Sequence, residues 1–366
     1  MNRSYRFRLY PTREQEVILL KTFGCCRFIY NKMLSDKIAY YKATGQMLNA
    51  TPAQYKDDYP WLKEIDSHAL SYVQMDLQSA YNNFFKSPKI GYPKFKSKKS
   101  SKQSYTTNNR SNKGRDKIHL LGNKIKVPKV GYIKIKAHRQ IKENESIKSI
   151  TISKVPSGKY YVSIMVEFEY SIPEKILDSN KALGLDYSSS NFYVDSQNNK
   201  ASYPKFFREA QEKLAKEQRK LSNMVYESAN YQKQKVKVAK MHERVANQRK
   251  DFLHKLSYTL AKDYDIICVE DINLRNLSQC LNLGKATLDN GFGMCRVFLD
   301  YKLRYQGKKL IKINKWFPSS KTCRFCGSVN GNLALKDRVW ICDCGQVLDR
   351  DHNAAINILN AGIASI

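Results

Sequence analysis

Four cysteines stand in two tight pairs, Cys323-Arg-Phe-Cys326 and Cys342-Asp-Cys344, with 15 residues between the pairs and a glycine, Gly327 or Gly345, after each. Thiolates that close together on a tight turn point the same way. Two such turns bring four sulfurs to tetrahedral reach. The pattern predicts a structural zinc on Cys323, Cys326, Cys342 and Cys344, although the second pair is C-x-C where C-x-x-C is usual. Four protein ligands leave no open coordination position, so a catalytic role for that ion is excluded. Carboxylates form the second constellation. Asp186 follows the apolar run Ala182–Leu185, Glu270 follows Ile266–Val269, and Asp349 and Asp351 open the last helical pattern. In an α/β sheet, functional groups gather at the carboxyl ends of strands. Singly, each acid reads equally well as a turn residue, a surface partner or a helix cap. Together, three acids from separate elements in a cationic chain suit Mg²⁺ or Mn²⁺ held against a phosphodiester. Two such ions, about 3.5–4 Å apart, serve the attacking water and the leaving oxygen.

Charge names the partner class. The 366 residues hold 64 Lys+Arg against 33 Asp+Glu, a net +31, and such an excess points to nucleic acid. At 42% hydrophobic the chain is folded, not a disordered basic tail. No apolar run approaches the ~20 residues of a membrane span, and MNRSYRFRLYPTREQ lacks a signal-peptide core. The expected location is the cytoplasm, on the nucleoid when DNA is bound, with no membrane partner. Nine cysteines, an odd number, fit a reducing compartment. Cys25, Cys26, Cys268, Cys280 and Cys295 sit among apolar residues and read as buried thiols.

The elements that must position these groups follow from periodicity. Residues 2–10 alternate as a strand, and Thr12-x-x-Gln15 is a capping box opening a helix through Cys26, Ile29 and Met33. A second helix from Ser67 carries Leu70, Val73, Leu77, Ala80 and Phe84 on one face. Residues 91–140 hold 15 Lys/Arg and one acid, Asp116. The middle of that window, SKQSYTTNNRSNKGRDK, reads as loop, and KIKVPKVGYIKIKAH alternates as half-buried strand. Two further strands flank a Pro-Ser-Gly turn in SITISKVPSGKYYVSIMVEFEY, and the N-terminal strand is expected to join them, making the helical unit an insertion. From Lys181 strands alternate with helices, an α/β domain. Its long helical stretch, 205–260, breaks near Ser222–Asn230. The lysine-rich 91–140 window, with Lys94, Lys96, Lys98 and Lys99, and the basic helices of 205–255 are candidate phosphate contacts; Tyr92, Phe95, Tyr105 and Tyr132 are candidate stacking residues, of which at least half read equally as core.

The runs GLDYSSSNFYVDS, VEDINLRNL and KWFPSSKTCRFCG…CDCGQVLDRDHNAAINI, in this order, resemble TnpB, the OrfB-type nuclease of insertion sequences and a relative of type V CRISPR effectors. YRFRLYPTREQE, KTFGCCRFIYNKML, GYPKFKSKKSSKQSYTTNN and HERVANQRKDFLHKLS extend the resemblance over nearly the whole chain. It implies a multidomain α/β plus β-barrel protein. A β-rich wedge domain (1–10 and 87–178) would carry a helical recognition insertion (11–86). An RNase H-like, RuvC-type nuclease domain (179–319 and 348–366) would enclose a zinc ribbon (320–347). The implied activity is RNA-guided, divalent-metal-dependent cleavage of double-stranded target DNA beside a short motif, encoded by a transposable element, with a guide RNA as partner. Asp186 maps to the first RuvC acid and Glu270 to the second. The Asp of the D-x-N-A-A pattern, Asp351, maps to the third, with Asp349 its close competitor. The segment Ser188–Ser190 stands where many members have Gly. Nuclease-dead relatives lose triad acids and this chain keeps all three. That favours an enzyme over a nucleic-acid-binding regulator with idle acids, or over a transposase acting directly in strand transfer.

Overall fold

In the computed structural model, which describes residues 1–99, 103–109, 116–188, 191–273, 289, 291–334 and 336–366, the alternating N-terminal run is strand β1, Asn2–Tyr10. Tyr5, Phe7 and Leu9 point inward and Arg6 outward. The chain divides into two units, Met1–Tyr170 and Ser171–Ile366.

The first unit is a seven-stranded antiparallel sheet. Its other strands are β2 (Gln103–Asn108), β3 (Leu120–Leu121), β4 (Lys124–Val127), β5 (Gly131–Lys136), β6 (Ser146–Lys154) and β7 (Tyr160–Glu167). The order β2-β6-β7-β1-β5-β4-β3 puts β1 in the middle, so the helices after it are an insertion, as the sequence predicts. The expected β-barrel is not closed. Among the described residues β2 and β3 are the two edges and do not pair with each other. Helix α1, Arg13–Thr44, opens on the predicted capping box, with Gln15 N–H donating to Thr12 Oγ1 and Thr12 N–H to Gln15 Oε1. A short helix α2, Tyr55–Asp58, and a 3₁₀ turn lead to α3, Ser67–Lys86. The buried face of α3 is Ala69, Leu70, Val73, Leu77 and Tyr81, with Ala80 and Phe84 half-buried.

One segment departs from the sequence reading. QSYTTN, read as loop, is β2, because α1 and α3 pack on it and bury its alternate residues Tyr105 and Thr107. Tyr105 packs against Phe23 with ring centroids 5.7 Å apart, and Thr107 Oγ1 donates to Asp66, the N-cap of α3.

The second unit is a mixed sheet of β8 (Ala182–Tyr187), β9 (Tyr193–Asp195), β10 (Lys200–Ala201), β11 (Ile266–Glu270) and β12 (Lys309–Ile313), ordered β10-β9-β8-β11-β12. The first three form an antiparallel meander. β11 runs parallel to β8, and β12 parallel to β11. Helices α4 (Phe206–Ser222) and α5 (Ala229–Asp263) form the predicted hairpin, followed by α6 (Phe292–Tyr305) and α7 (Arg350–Ile363). Leu183, Leu185, Ile267 and Val269 face α5 and α6. Ala182, Ile266, Cys268 and Ile313 face α7. Burial on both faces explains why β8 and β11 read as continuous apolar runs.

Two glycines seat α7 directly on the strands. A Cβ on Gly184 of β8 would stand 2.1 Å from the Ala355 carbonyl oxygen, and one on Gly362 of α7 would stand 2.2 Å from Cys268 Sγ. Gly184→Ala must therefore lift the helix. The expected cost is about 1–3 kcal/mol, which lowers Tm by about 2–4 °C per kcal/mol in a domain of this size. Thermal melting measures it, and an unchanged melt would mean that α7 does not rest on β8.

Candidate active site and cysteine module

Strand alternation brings the acids to one face. Ala182, Gly184 and Asp186 share the α7 side of β8, as Ile266, Cys268 and Glu270 share it on β11. Asp186 and Glu270 each lie one residue beyond the paired Leu185 and Val269, on adjacent parallel strands. Asp351 lies in the first turn of α7. All three side chains are half-buried. Burial pushes the Asp186 carboxyl well above its usual range, the charges of Glu270 and Asp351 add to the shift, and Arg350 and Arg338 oppose it. Burial also raises Glu270, partly offset by a hydrogen bond donated by Ser319 Oγ. Arg338 Nη1 stands 3.4 Å from both oxygens of Asp351. Asp349 has a different partner set. It is the N-cap of α7, its Oδ1 accepting from His352 N–H at 3.0 Å, with Lys200 3.7 Å from Oδ2.

The residues that hold this arrangement were not evident in the sequence. Arg296 of α6 donates to the carbonyls of Glu270 (3.2 Å) and Ile272 (3.3 Å), fixing the chain as it leaves β11. Asn357 of α7 donates to the carbonyls of Ser319 (2.8 Å) and Thr322 (2.7 Å). Asn353 donates to Thr322 (2.7 Å) and accepts from Arg324 N–H (3.1 Å). The two asparagines thus tie α7 to the segment that bears both Ser319 and the first cysteine pair. A signal was available. In DHNAAIN the asparagines are four apart, on one helix face among alanines, and a buried amide there needs partners.

Cys342 and Cys344 sit in the turn of a two-stranded hairpin, β13 (Val339–Ile341) and β14 (Val347–Asp349), and Cys323 and Cys326 precede it. The four sulfurs all lie within 4.8 Å of one another, with Cys323–Cys344 at 3.8 Å and Cys326–Cys342 at 3.5 Å. A zinc with four Zn–S bonds of ~2.3 Å requires S···S edges of about 3.8 Å, so this donor set fits the ion. Gly327 (φ 77°) and Gly345 (φ 83°) take the left-handed conformation that turns each knuckle, their amides donating to the Cys323 and Cys342 carbonyls. The Ser328 hydroxyl draws the Cys326 and Cys342 thiols down while Cys344 beside them is pushed up, because the clustered thiols lose their protons as one set. Trp340 and Leu348 pack beneath. Among the described residues no other group of three or more His, Cys, Asp or Glu closes to this spacing. Cys25, Cys26, Cys268 and Cys295 are buried, as predicted, and burial pushes Cys268 up to about 11 and Cys26 and Cys295 to about 12. Cys280 lies outside the described residues.

Of the candidate nucleic-acid contacts, Lys94, Lys98 and Lys99 are exposed. Lys96 is exposed but engaged, its Nζ 4.0 Å from the Tyr30 ring centroid and 3.8 Å from Asp76. Tyr105 does not fit the stacking role. It is 5% exposed and belongs to the core, because it points inward from β2. Tyr92, Phe95 and Tyr132 are open to solvent. The outer face of the sheet adds Arg6 and Arg8, which the sequence reading missed, to the exposed Lys134 and Lys136 of the lysine-rich window. Arg6 and Arg8 lie 4.1 and 5.3 Å over the Tyr161 ring, and Arg8 is level with Lys136 across β1 and β5. The alternation that puts Phe7 and Leu9 inside puts these arginines outside, so the signal was in the period. If this face holds nucleic acid, Arg6→Ala, Arg8→Ala, Lys134→Ala and Lys136→Ala together should flatten the slope of log K against log salt by roughly three to four units. A slope equal to wild type would place the face in free solvent.

Among the described residues no helix is long and apolar enough to cross a membrane. A mixed sheet with acids on one face is joined to a four-thiolate module inserted before its last helix, and both parts match known protein families. Residues 163–281 match the family described as "Probable transposase", of the OrfB IS605 type, and residues 292–358 match "Cas12f1-like, TNB domain". Residues 1–46 match a "Helix-turn-helix domain", although here they fold as β1 and the single long helix α1. A Streptomyces pristinaespiralis protein named as a candidate RNA-guided DNA endonuclease is 35% identical over 100% of this chain and 90% of its own length. A similarly named Escherichia coli K12 protein, InsQ, is 30% identical over 99% and 92%. The chain belongs to the OrfB/TnpB family of IS605-type transposable elements. Its fold is that of the protein in the Cas12f1-sgRNA-target DNA complex, with a TM-score of 0.62 at 13% identity over 98% of this chain and 99% of that one.

Proposed function

We propose that the protein is an RNA-guided DNA endonuclease whose site is Asp186, Glu270 and Asp351. One observation carries the reading. Three carboxylates from three elements sit on one face of the sheet, close enough that two of them raise the pKa of the third. A protein that only binds nucleic acid gains nothing from clustered negative charge in a +31 chain. The strand order, an antiparallel meander followed by two parallel strands, supports the RNase H-like, RuvC-type assignment. Magnesium or manganese held by these acids would supply the activated water and the charge that stabilises the leaving oxygen. Ser319 orients Glu270, and Arg338 and Arg350 bring positive charge to a site that must accept a phosphodiester. The cysteine module is the zinc ribbon, residues 320–347. The sheet of the first unit is the wedge domain (1–10 and 87–178), and its helical insertion (11–86) is the recognition domain. Sequence choice falls to base pairing between guide and double-stranded target beside a short motif, while basic surfaces hold the backbones. The protein would meet that DNA in the cytoplasm, on the nucleoid. The deciding experiment is to sequence RNA that co-purifies with the protein, then offer the complex matched and mismatched DNA with Mg²⁺. Cleavage of the matched DNA alone confirms the reading, and no cleavage of either overturns it.

A further inference from the structure

We propose that Trp316, with Lys315 over its ring, is the stacking platform for an unpaired DNA base beside the cleaved phosphate. The proposal rests on the nuclease reading and deepens it, since it makes the substrate at the cut a single strand.

Trp316 is 80% exposed, against 6% for Trp340. An indole held in water is costly apolar surface, and this one is held there by structure. Trp316 N–H donates to Asn314 Oδ1 at 2.9 Å, and Phe317 N–H donates to the Asn314 carbonyl at 3.0 Å. Phe317 then packs into the core beside Ile313 and Ile358. The main chain that carries the indole is thus held by Asn314 and by the packing of Phe317. Lys315 Nζ lies 4.7 Å from its centroid, which places a cation where a phosphate follows a stacked base.

The location is what links it to cleavage. Ile313, the last residue of edge strand β12, is level with Glu270. The chain therefore leaves the sheet at the same end as Asp186 and Glu270. Trp316 is three residues further on, and three before Ser319, whose hydroxyl bonds Glu270. Three residues span at most about 11 Å, so the Trp316 backbone lies within that reach of Ser319 and of the acid-bearing end of the sheet. The exposed residues around it are Lys312, Asn314, Lys315 and Pro318, two of them cationic. An isolated aromatic in a polar, basic setting suits a base better than an apolar protein surface. Every base has a π-face, so this contact is tolerant of sequence, as a nuclease directed by a guide requires. In a duplex both faces of each base are covered by neighbours. Stacking on Trp316 therefore needs an unstacked strand.

The test begins without cleavage. In an Asp186→Ala background, binding of a fluorescein-labelled single-stranded oligonucleotide is titrated. Adding Trp316→Ala should weaken it about 5- to 150-fold, and adding Trp316→Phe much less, because the aromatic face remains. Trp316→Leu, which keeps apolar area without a π-face, should behave like Ala. In the guide-loaded enzyme with Asp186 restored, an abasic nucleotide beside the cut should slow the parent to the Trp316→Ala rate and slow the Trp316→Ala variant no further. Equal oligonucleotide affinity in parent and Trp316→Ala, or additive effects of the abasic site and the substitution, would overturn the proposal. Loss of all guided cleavage with binding still dependent on Trp316 would overturn the nuclease reading and leave the platform standing.

Discussion

Asp186→Ala, Glu270→Ala and Asp351→Ala should each lower the single-turnover cleavage rate by a thousandfold or more, while affinity for guide RNA and target changes little. On the proposed reading the acids hold cations at a phosphodiester, and losing one ligand of a two-ion site removes several kcal/mol of transition-state stabilisation. Binding draws on base pairing and on basic surfaces elsewhere. Asp186→Asn carries a second, opposite signature. The folded-state pKa of Asp186 is raised, so between the unfolded and folded values the folded state keeps a proton that the unfolded chain has released. Stability from this group is therefore greatest below the unfolded value and falls as pH rises through that window. At neutral pH without divalent metal, Asp186→Asn should melt above wild type. Asp349→Ala behaves differently again. It removes a helix cap at about 0.5–2 kcal/mol and should cleave well at temperatures where the fold holds. Full cleavage by Asp351→Ala with loss in Asp349→Ala would show the third ligand to be Asp349. Robust cleavage by Asp186→Ala would falsify the RuvC-type mechanism.

Cys323→Ser should release one zinc per chain, lower the melting temperature and reduce cleavage, although no cysteine belongs to the carboxylate site. Structural zinc sites contribute on the order of 10–16 kcal/mol of binding free energy that appears as folding free energy. The module has little else, its apolar core being Trp340 and Leu348 with Leu333 against two of the cysteines. The loss should reach the acids through the segment from Ser319 to Arg324, which Asn353 and Asn357 hold to α7. Elemental analysis, melting and cleavage rate are read on the same preparation. A well-folded, fully active wild type without zinc would remove the basis for this prediction.

Much of the site was legible because its signals are local. Cysteine spacing, apolar runs that end in an acid, and the Thr12–Gln15 box are each set within a few residues of chain. Asp349 and Asp351 could not be separated by spacing alone, and what distinguishes them is which carboxylate the backbone of His352 occupies. Tyr105 was misplaced for a related reason. Its strand is polar in sequence and becomes half-buried only because α1 and α3 cover it, a tertiary fact with no local period. Gly184 looked like any glycine in an apolar strand until Ala355, 171 positions away, was seen to need its missing side chain. Ser319 and the two asparagines act across the sheet in the same way.

The central place of β1 sets an order of events in the cell. Residues 2–10 leave the ribosome early, yet their hydrogen-bonding partners are β5 and β7, the latter complete only at Glu167. At 5–20 residues per second, the roughly 160 residues between them take about 8–30 s to appear. Until β5 appears Tyr5, Phe7 and Leu9 have no sheet to enter, and until β7 is complete β1 has a partner on one side only. The nascent chain must therefore be shielded or stay soluble on its own, and the arginines alternating with those residues are its built-in protection against aggregation.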